Sequence, residues 1–273
     1  MAGRFVFAPL AGAAVDRPVL EAAQSAAERL DAVVQCAFAE PDAAAYFSGA
    51  NALGAIPMSA LKAVDEAREA GLQKARDTFE AVFGTGEVDT AHFGGGLDRT
   101  GLRNMARLAA CVTIDADSVR GAGPFAALFE DFLFLELAPI LVPRERFDFD
   151  HIGLAWNGSR QAANAMRRAM PFLRKARRVS VIQRQEGLKA VDALASDPAM
   201  ALSWLKARGV AAEQVEATGS SAPASVLDAA LDAGCGLLVA GAYGQSRARE
   251  LVFGGATRHF VKDDHPLSLL LAH

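Results

Sequence analysis

The residues best suited to chemistry lie near the end of the chain, in Leu237-Leu-Val-Ala-Gly241-Ala-Tyr-Gly244-Gln-Ser-Arg-Ala-Arg-Glu-Leu-Val-Phe-Gly254-Gly255-Ala256-Thr257. The short apolar run from Gly236 to Gly241 reads as a buried parallel strand. The chain then turns on glycine, and after Gly244 spends nine residues before it returns through Gly254-Gly255. A helix is expected from Ala256 to about Asp263. Small residues let backbone N–H groups come close to oxygens, and the unpaired N–H groups of a helix start attract an anion. Thr257 would add a hydroxyl in the first turn. The chemistry that fits is the holding of phosphates, although glycines at strand–helix turns serve plain turn geometry equally often.

The spacing Gly241-x2-Gly244-x9-Gly254 resembles the ATP-binding signature of the universal stress protein family. The wider run Gly-Ala-Tyr-Gly-Gln-Ser-Arg-Ala-Arg-Glu, then Gly-Gly-Ala-Thr-Arg, is similar to the tandem bacterial members. In that family the last glycine is usually followed by Ser or Thr; here Gly255 and Ala256 stand before Thr257. The resemblance implies that Gly241, Gly244, Gly254, Gly255, Ala256 and Thr257 hold the phosphates of ATP, alone or with Mg. It also implies roles for Ala155-Trp156-Asn157-Gly158-Ser159, where the family carries Asp-Gly-Ser and the Asp reaches the nucleoside. This chain has the neutral Asn157 there, which can exchange hydrogen bonds but brings no charge. Gln183 and Arg184 stand where the family touches adenine, mostly through backbone. The bland reading of Asn157 and Ser159 is that they cap the next helix.

The elements needed to position these residues follow from periodicity. A strand from Arg4 to Pro9 leads to a helix near Asp16, read as its N-cap with Pro18 just inside. Val19, Leu20, Ala23, Ala26, Ala27 and Leu30 fall on one face. A strand from Ala32 to Phe38 precedes a Pro/Ala/Gly-rich loop to Pro57. A long helix, Ser59 to Phe83, has Leu61, Val64, Ala67, Leu72, Ala75 and Phe79 as its expected buried stripe. Next come a strand from Asp89 to Phe93, a glycine loop at Gly94-Gly95-Gly96, a helix from Thr100 to Ala109 and a strand from Cys111 to Asp115. A helix from Pro124 and a strand from Pro139 to Val142 complete the first half. The second half repeats the order. Strands run from Ile152 to Ala155, Arg178 to Gln183, Val210 to Ala217, Gly236 to Gly241 and Pro266 to Ala272. Helices run from Ser159 to Met170 ahead of Pro171, from Val191 to Arg208 and from Ala222 to Ala233.

Composition bounds the function classes. The 273 residues suggest about two domains, and 52% hydrophobic with 22% charged residues supplies ordinary cores. A net charge of -4 argues against nucleic acid as the main partner. Phe125 to Val142 is apolar, but Glu130, Asp131, Glu136 and Pro139 interrupt it, so no membrane span is expected. The segment Arg4 to Val15 resembles a short signal peptide, yet Pro9 and the need for a first strand argue otherwise. Cys36, Cys111 and Cys235 sit singly in apolar runs, as reduced core thiols of a cytoplasmic protein do. Gly94-Gly95-Gly96 lacks the Lys-Ser/Thr of a phosphate loop. Arg167, Arg168, Arg174, Lys175, Arg177 and Arg178 read as a solvated helix end. Asp148, Asp150 and His151 are too few to bind a metal. His259 lies two residues past Thr257 and reads as a surface or capping residue, with approach to a γ-phosphate as the alternative.

Alternating strands and helices predict an α/β fold with parallel sheets. The halves end alike, at Pro139-Ile-Leu-Val and Pro266-Leu-Ser-Leu, which reads as a duplicated module joined by residues 144–150. The expected architecture is two tandem Rossmann-like modules of the adenine-nucleotide α-hydrolase-like type, residues 1–145 and 150–273, each a mostly parallel five-stranded sheet with helices on both faces. The first module lacks the motif and reads as degenerate. The resemblance implies a stress-response protein with an adenine nucleotide in its second module. It further implies pairing of the two last strands as an intrachain pseudo-dimer, alone or doubled into a homodimer. No general base is aimed at a phosphate, so binding, or at most very slow ATP hydrolysis, is expected. A protein-interaction module with an empty glycine loop is the alternative, and an enzyme of the related hydrolase type ranks third.

Overall fold

The structure, a computed structural model, describes residues 4–40, 58–85, 90–184, 197–219, 222–242, 259–261 and 264–273. It is α/β with mostly parallel strands, and the chain divides into two compact units, Met1–Asp115 and Ala116–His273.

The first unit orders its strands β3-β2-β1-β4, all parallel, with β1 at Phe5–Leu10, β2 at Val33–Ala39, β3 at Ala91–Leu97 and β4 at Cys111–Thr113. Helix α1, Asp16–Leu30, buries the expected face through Val19, Leu20, Ala23, Ala26, Ala27 and Leu30. Helix α2, Met58–Phe83, departs from its expected stripe: Ala75 and Phe79 are buried, Val64 and Leu72 half-buried, and Leu61 and Ala67 exposed. At 1.5 Å per residue α2 is about 39 Å long and α1 about 22 Å. Helix α3, Arg99–Leu108, starts at Asp98, whose carboxylate accepts from the Gly101 N–H at 2.7 Å.

Two further expectations are corrected here. Gly94, Gly95 and Gly96 belong to β3 and not to a loop. The strand absorbs them with a register shift opposite Cys36 and Phe38, and Gly95 takes φ +84°, the bulge conformation that only glycine adopts without strain. Asp16 is not the N-cap: Val15 occupies that position, and the Asp16 carboxylate turns back into the preceding turn.

The second unit orders its strands β5-β10-β9-β6-β7-β8. These are β5 Ile140–Val142, β6 His151–Ala155, β7 Arg178–Gln183, β8 Glu213–Glu216, β9 Leu237–Gly241 and β10 Ser268–Ala272. Among the described strands of this unit only β5 runs antiparallel, pairing Leu141 with Leu270 of β10. Ahead of β5, helix α4 spans Ala116–Arg120. Helix α5, Ala126–Glu130, begins two residues later than its proline suggested and continues as a π-helical turn, Asp131–Leu135.

Helix α6 spans Arg160–Leu173 and passes through Pro171 instead of stopping before it. Burial offsets the lost hydrogen bond, since Phe172 and Leu173 are each 1% exposed and Phe172 stacks on Phe149 at 4.9 Å. Helix α7, Pro198–Lys206, has Asp197 as its N-cap, accepting from the Ala199 N–H. The earlier part of the helix expected from Val191 lies outside the described residues, as does the loop expected over 41–57. Helix α8 spans Ala222–Asp232.

Candidate functional site

In the second unit β6 lies between β7 and β9, with Ala155 opposite Ile182 and Leu154 opposite Val239. The chain steps from β6 through α6 to β7 in one direction, and from β9 to β10 in the other. The direction of the strand order therefore reverses between β6 and β9. The reversal opens a crevice beyond the carboxyl ends of β6 and β9, where open α/β sheets bind ligands. Ala155, Gln183 and Gly241 each end a strand at this edge.

The turn after β6 is tight and local. The Trp156 N–H donates to the Ile182 carbonyl at 2.9 Å, and its side chain is buried. Asn157 is exposed, and its side-chain carbonyl accepts from the Ser159 N–H at 3.1 Å. Gly158 takes φ +73°, which suits glycine between the two. The Ser159 hydroxyl accepts from the Ala162 N–H at 3.2 Å and caps α6. On β7, the Gln183 carbonyl accepts from the Ala217 N–H at 2.8 Å, and its side chain is buried. Arg184 donates from Nε to the Gly219 carbonyl at 2.8 Å.

Gly241 has a packing reason of its own. A Cβ there would stand 2.5 Å from the Gln161 carbonyl carbon and 2.6 Å from the Ala162 nitrogen, so the end of β9 touches the start of α6 and admits no side chain. Gly244, Gly254, Gly255, Ala256 and Thr257 lie outside the described residues. The structure therefore brings together Ala155 to Ser159, Gln183, Arg184 and Gly241, and describes the motif only where it begins. His259 is half-buried and helical.

The described chain on either side of the motif's undescribed part is anchored by residues that sequence reasoning did not single out. At the start, His273 Nδ1 lies 2.9 Å from the Ala242 carbonyl, with the Phe134 ring edge-on at 5.3 Å. At the far end, Arg120, Arg144 and His265 reach carbonyls of residues 260, 261 and 265. The same three residues line a cavity of about 310 Å³ with Ala116, Glu145 and Asp264. Arg144 falls in the segment the sequence reads as a linker, and its partners are 116 to 121 residues away. No local pattern could have revealed it.

The corresponding turn of the first unit is occupied by its own chain. Asp16 is fully buried, and its carboxylate accepts from the N–H groups of Ala11, Gly12 and Ala13 at 2.8, 2.8 and 3.2 Å. Burial holds its carboxyl above the usual carboxylate range, against the pull of those three donors, and Asp115 adds to the rise.

At the opposite ends of the second unit's strands a polar chain crosses the sheet. His151 Nε2 lies 2.9 Å from Ser180 Oγ and 3.7 Å from Cys235 Sγ, and Ser180 Oγ donates to Glu213 at 3.2 Å. Arg178 donates to the same carboxylate at 2.6 Å. Burial pushes the Cys235 thiol up to about 12, and burial with the Arg178 charge holds His151 below its usual value. A buried, protonated thiol of this kind is inert. Cys36 and Cys111 are likewise buried free thiols, the latter pushed up to about 12 by burial. Asp148 accepts from the N–H groups of Asp150 and His151, so it closes a turn. Among the described residues no cluster of His, Cys, Asp or Glu is arranged to hold a metal, and no helix is long and apolar enough to cross a membrane.

The architecture is similar to that of universal stress proteins of known structure. A universal stress protein from Archaeoglobus fulgidus DSM 4304 matches over 100% of this chain and 99% of its own, with TM-score 0.62 and 14% identity. A protein from Pseudomonas aeruginosa UCBPP-PA14, provisionally given the same name, matches over 99% and 93% with TM-score 0.55 and 11% identity. A functionally unknown protein from Pseudomonas aeruginosa PAO1 matches over 99% and 92%, also at 0.55 and 11%. No protein-family model matches the sequence, and no curated protein matches it.

Proposed function

We propose that this chain is a tandem universal stress protein of the cytoplasm, binding ATP or a related adenine nucleotide, alone or with Mg, in its second half. The observation that carries the reading is the convergence of Asn157 to Ser159, Gln183 and Gly241 at one switch point, from which the glycine spacing Gly241-x2-Gly244-x9-Gly254 departs. In this reading Gly241, Gly244, Gly254, Gly255, Ala256 and Thr257 face the phosphates, and Ala155 to Ser159 with Gln183 and Arg184 flank the nucleoside. Asn157, being neutral and already accepting from Ser159, contributes shape and hydrogen bonding without charge. The role is regulatory, through occupancy by nucleotide, with the two halves joined as an intrachain pseudo-dimer.

A second reading is supported by Gly241. Its close approach to Gln161 accounts for that glycine without any ligand, as a protein-interaction module with an empty loop would require. Calorimetric titration with Mg-ATP separates the two. The wild-type chain should release heat, and Gly244→Val should abolish it while leaving the circular dichroism spectrum unchanged. Affinity retained by Gly244→Val would remove the phosphates from the glycine loop.

A further inference from the structure

Helix α6 carries a row of cations along the face it turns to solvent. Arg160, Arg167, Arg168, Arg174 and Lys175 are all exposed, at spacings that return to one side of a helix. The helical path holds to the end of the row, since the Arg174 N–H still donates to the Met170 carbonyl at 3.1 Å. At 1.5 Å per residue the row is about 22 Å long. The opposite face, with Ala162, Ala165, Met166, Ala169 and Met170, is buried. Between residues 151 and 183 the sequence has no Asp or Glu, although the whole chain has a net charge of -4. The rest of the chain is correspondingly more acidic, so charge is segregated onto this helix.

Helix stability does not account for the row. Cations complement the helix dipole only in the last turn, and Arg160 stands in the first, where the dipole opposes it. Arg167 and Arg168 lie between the ends, beyond reach of either effect. No carboxylate stands three or four residues from any of the five, so none gains a pair along the helix. The neighbouring Arg177 and Arg178 differ, being taken up by Asp150 at 3.9 Å and Glu213 at 2.6 Å.

We propose that the exposed face of α6 is a docking surface for an acidic segment of a partner protein. Guanidinium forks pair with carboxylates through two parallel hydrogen bonds, and all but Lys175 of the row are Arg. Nucleic acid fits the face less well. Among its described residues no aromatic side chain stands there to stack on a base. A long polyanion would also meet the acidic remainder of the chain. A membrane takes an amphipathic helix by its apolar face, which in α6 is buried in the core.

The test is the fluorescence anisotropy of a labelled oligoglutamate peptide titrated with the full chain at low salt. Wild type should bind it and release it as salt is added. The triple variant Arg167→Gln, Arg168→Gln, Arg174→Gln should bind about tenfold more weakly, as the loss of several exposed ion pairs suggests, with an unchanged circular dichroism spectrum. A control variant, Arg17→Gln, Lys62→Gln, Lys74→Gln, removes the same charge from α1 and α2 and should bind like wild type. Equal weakening in the control would trace binding to net charge and overturn the proposal, as would a wild type that does not bind the peptide. Tighter binding of a short DNA duplex or of phosphatidylserine vesicles than of the peptide would reassign the face and overturn it too. So would a wild-type dimer in sedimentation that the α6 variant dissolves, since the occupant would then be a second copy of the chain.

Discussion

The turn after β1 and the turn after β6 use the same backbone device and fill it differently. Each places a left-handed glycine between strand and helix, Gly12 at φ +68° and Gly158 at φ +73°. In the first, Gly12 is pressed on Gly71, where a Cβ would meet the carbonyl oxygen at 2.3 Å. The N–H groups around it are taken by the buried carboxylate of Asp16. In the second, the exposed Asn157 and the Ser159 hydroxyl make one neutral hydrogen bond each. The first turn carries its own carboxyl group and is closed by it. The second is held by light, local bonds, and α6 starts from it against the end of β9. The difference teaches why the proposed nucleotide site belongs to the second half: loop N–H groups already holding a carboxylate have nothing to offer a phosphate.

Several substitutions would break or sharpen that contrast. The largest effect is expected from Asp16→Ala, which strips an acceptor from three N–H groups in a buried turn. Urea denaturation should show a loss of about 3 kcal/mol, and a loss near zero would mean that the first turn is not held by its carboxylate. Gly241→Val should come next, at about 2 kcal/mol by overpacking against Gln161 and Ala162, readable as a lower urea midpoint. Asn157→Ala should be the mildest, below about 1 kcal/mol, as for an exposed turn or cap side chain. If Asn157→Ala proved as damaging as Asp16→Ala, the comparison would fail.

Two buried groups, Asp16 and His151, contribute pH dependence of opposite sign. His151 has its folded pKa lowered by burial from 6.5. Its contribution to stability is present above pH 6.5 and is lost as pH falls through the folded value. Asp16 has its folded pKa raised by burial from 3.8. Its titration contributes stability that is complete below 3.8 and is lost as pH rises through the folded value. Stability measured from pH 4 to 8 should therefore lose part of its decline below pH 6.5 in His151→Gln. Asp16→Asn should instead remove a gain at the acid end. A decline below pH 6.5 that is unchanged in His151→Gln would place its cause elsewhere.

Much of the architecture was legible because it rests on local pattern. The face of α1, the apolar runs of β6, β7, β9 and β10, and the cap at Ser159 all follow from residue type and spacing. What was not legible depends on distant partners. Asp16 looks like an ordinary cap until the turn around Gly12 folds back over it, and that geometry needs Gly71 on another helix. Pro171 reads as a stop, but the burial of Phe172 against Phe149 carries α6 past it. Gly94 to Gly96 read as a loop because a bulge is defined by its pairing with β2 and not by its own sequence. Of the site, the turn at Asn157 and the strand end at Gln183 stood where the sequence suggested. Arg144 and His273 could be seen only once the chain had folded.

The central claim, that the second half holds an adenine nucleotide, is tested most directly by denaturing freshly purified protein and identifying the released small molecules by mass spectrometry. ATP, ADP or AMP in near-stoichiometric amount is the result expected. A supernatant free of nucleotide, followed by no heat on titration with Mg-ATP, would contradict it and leave the glycine loop as a structural turn in a protein that works through its surface.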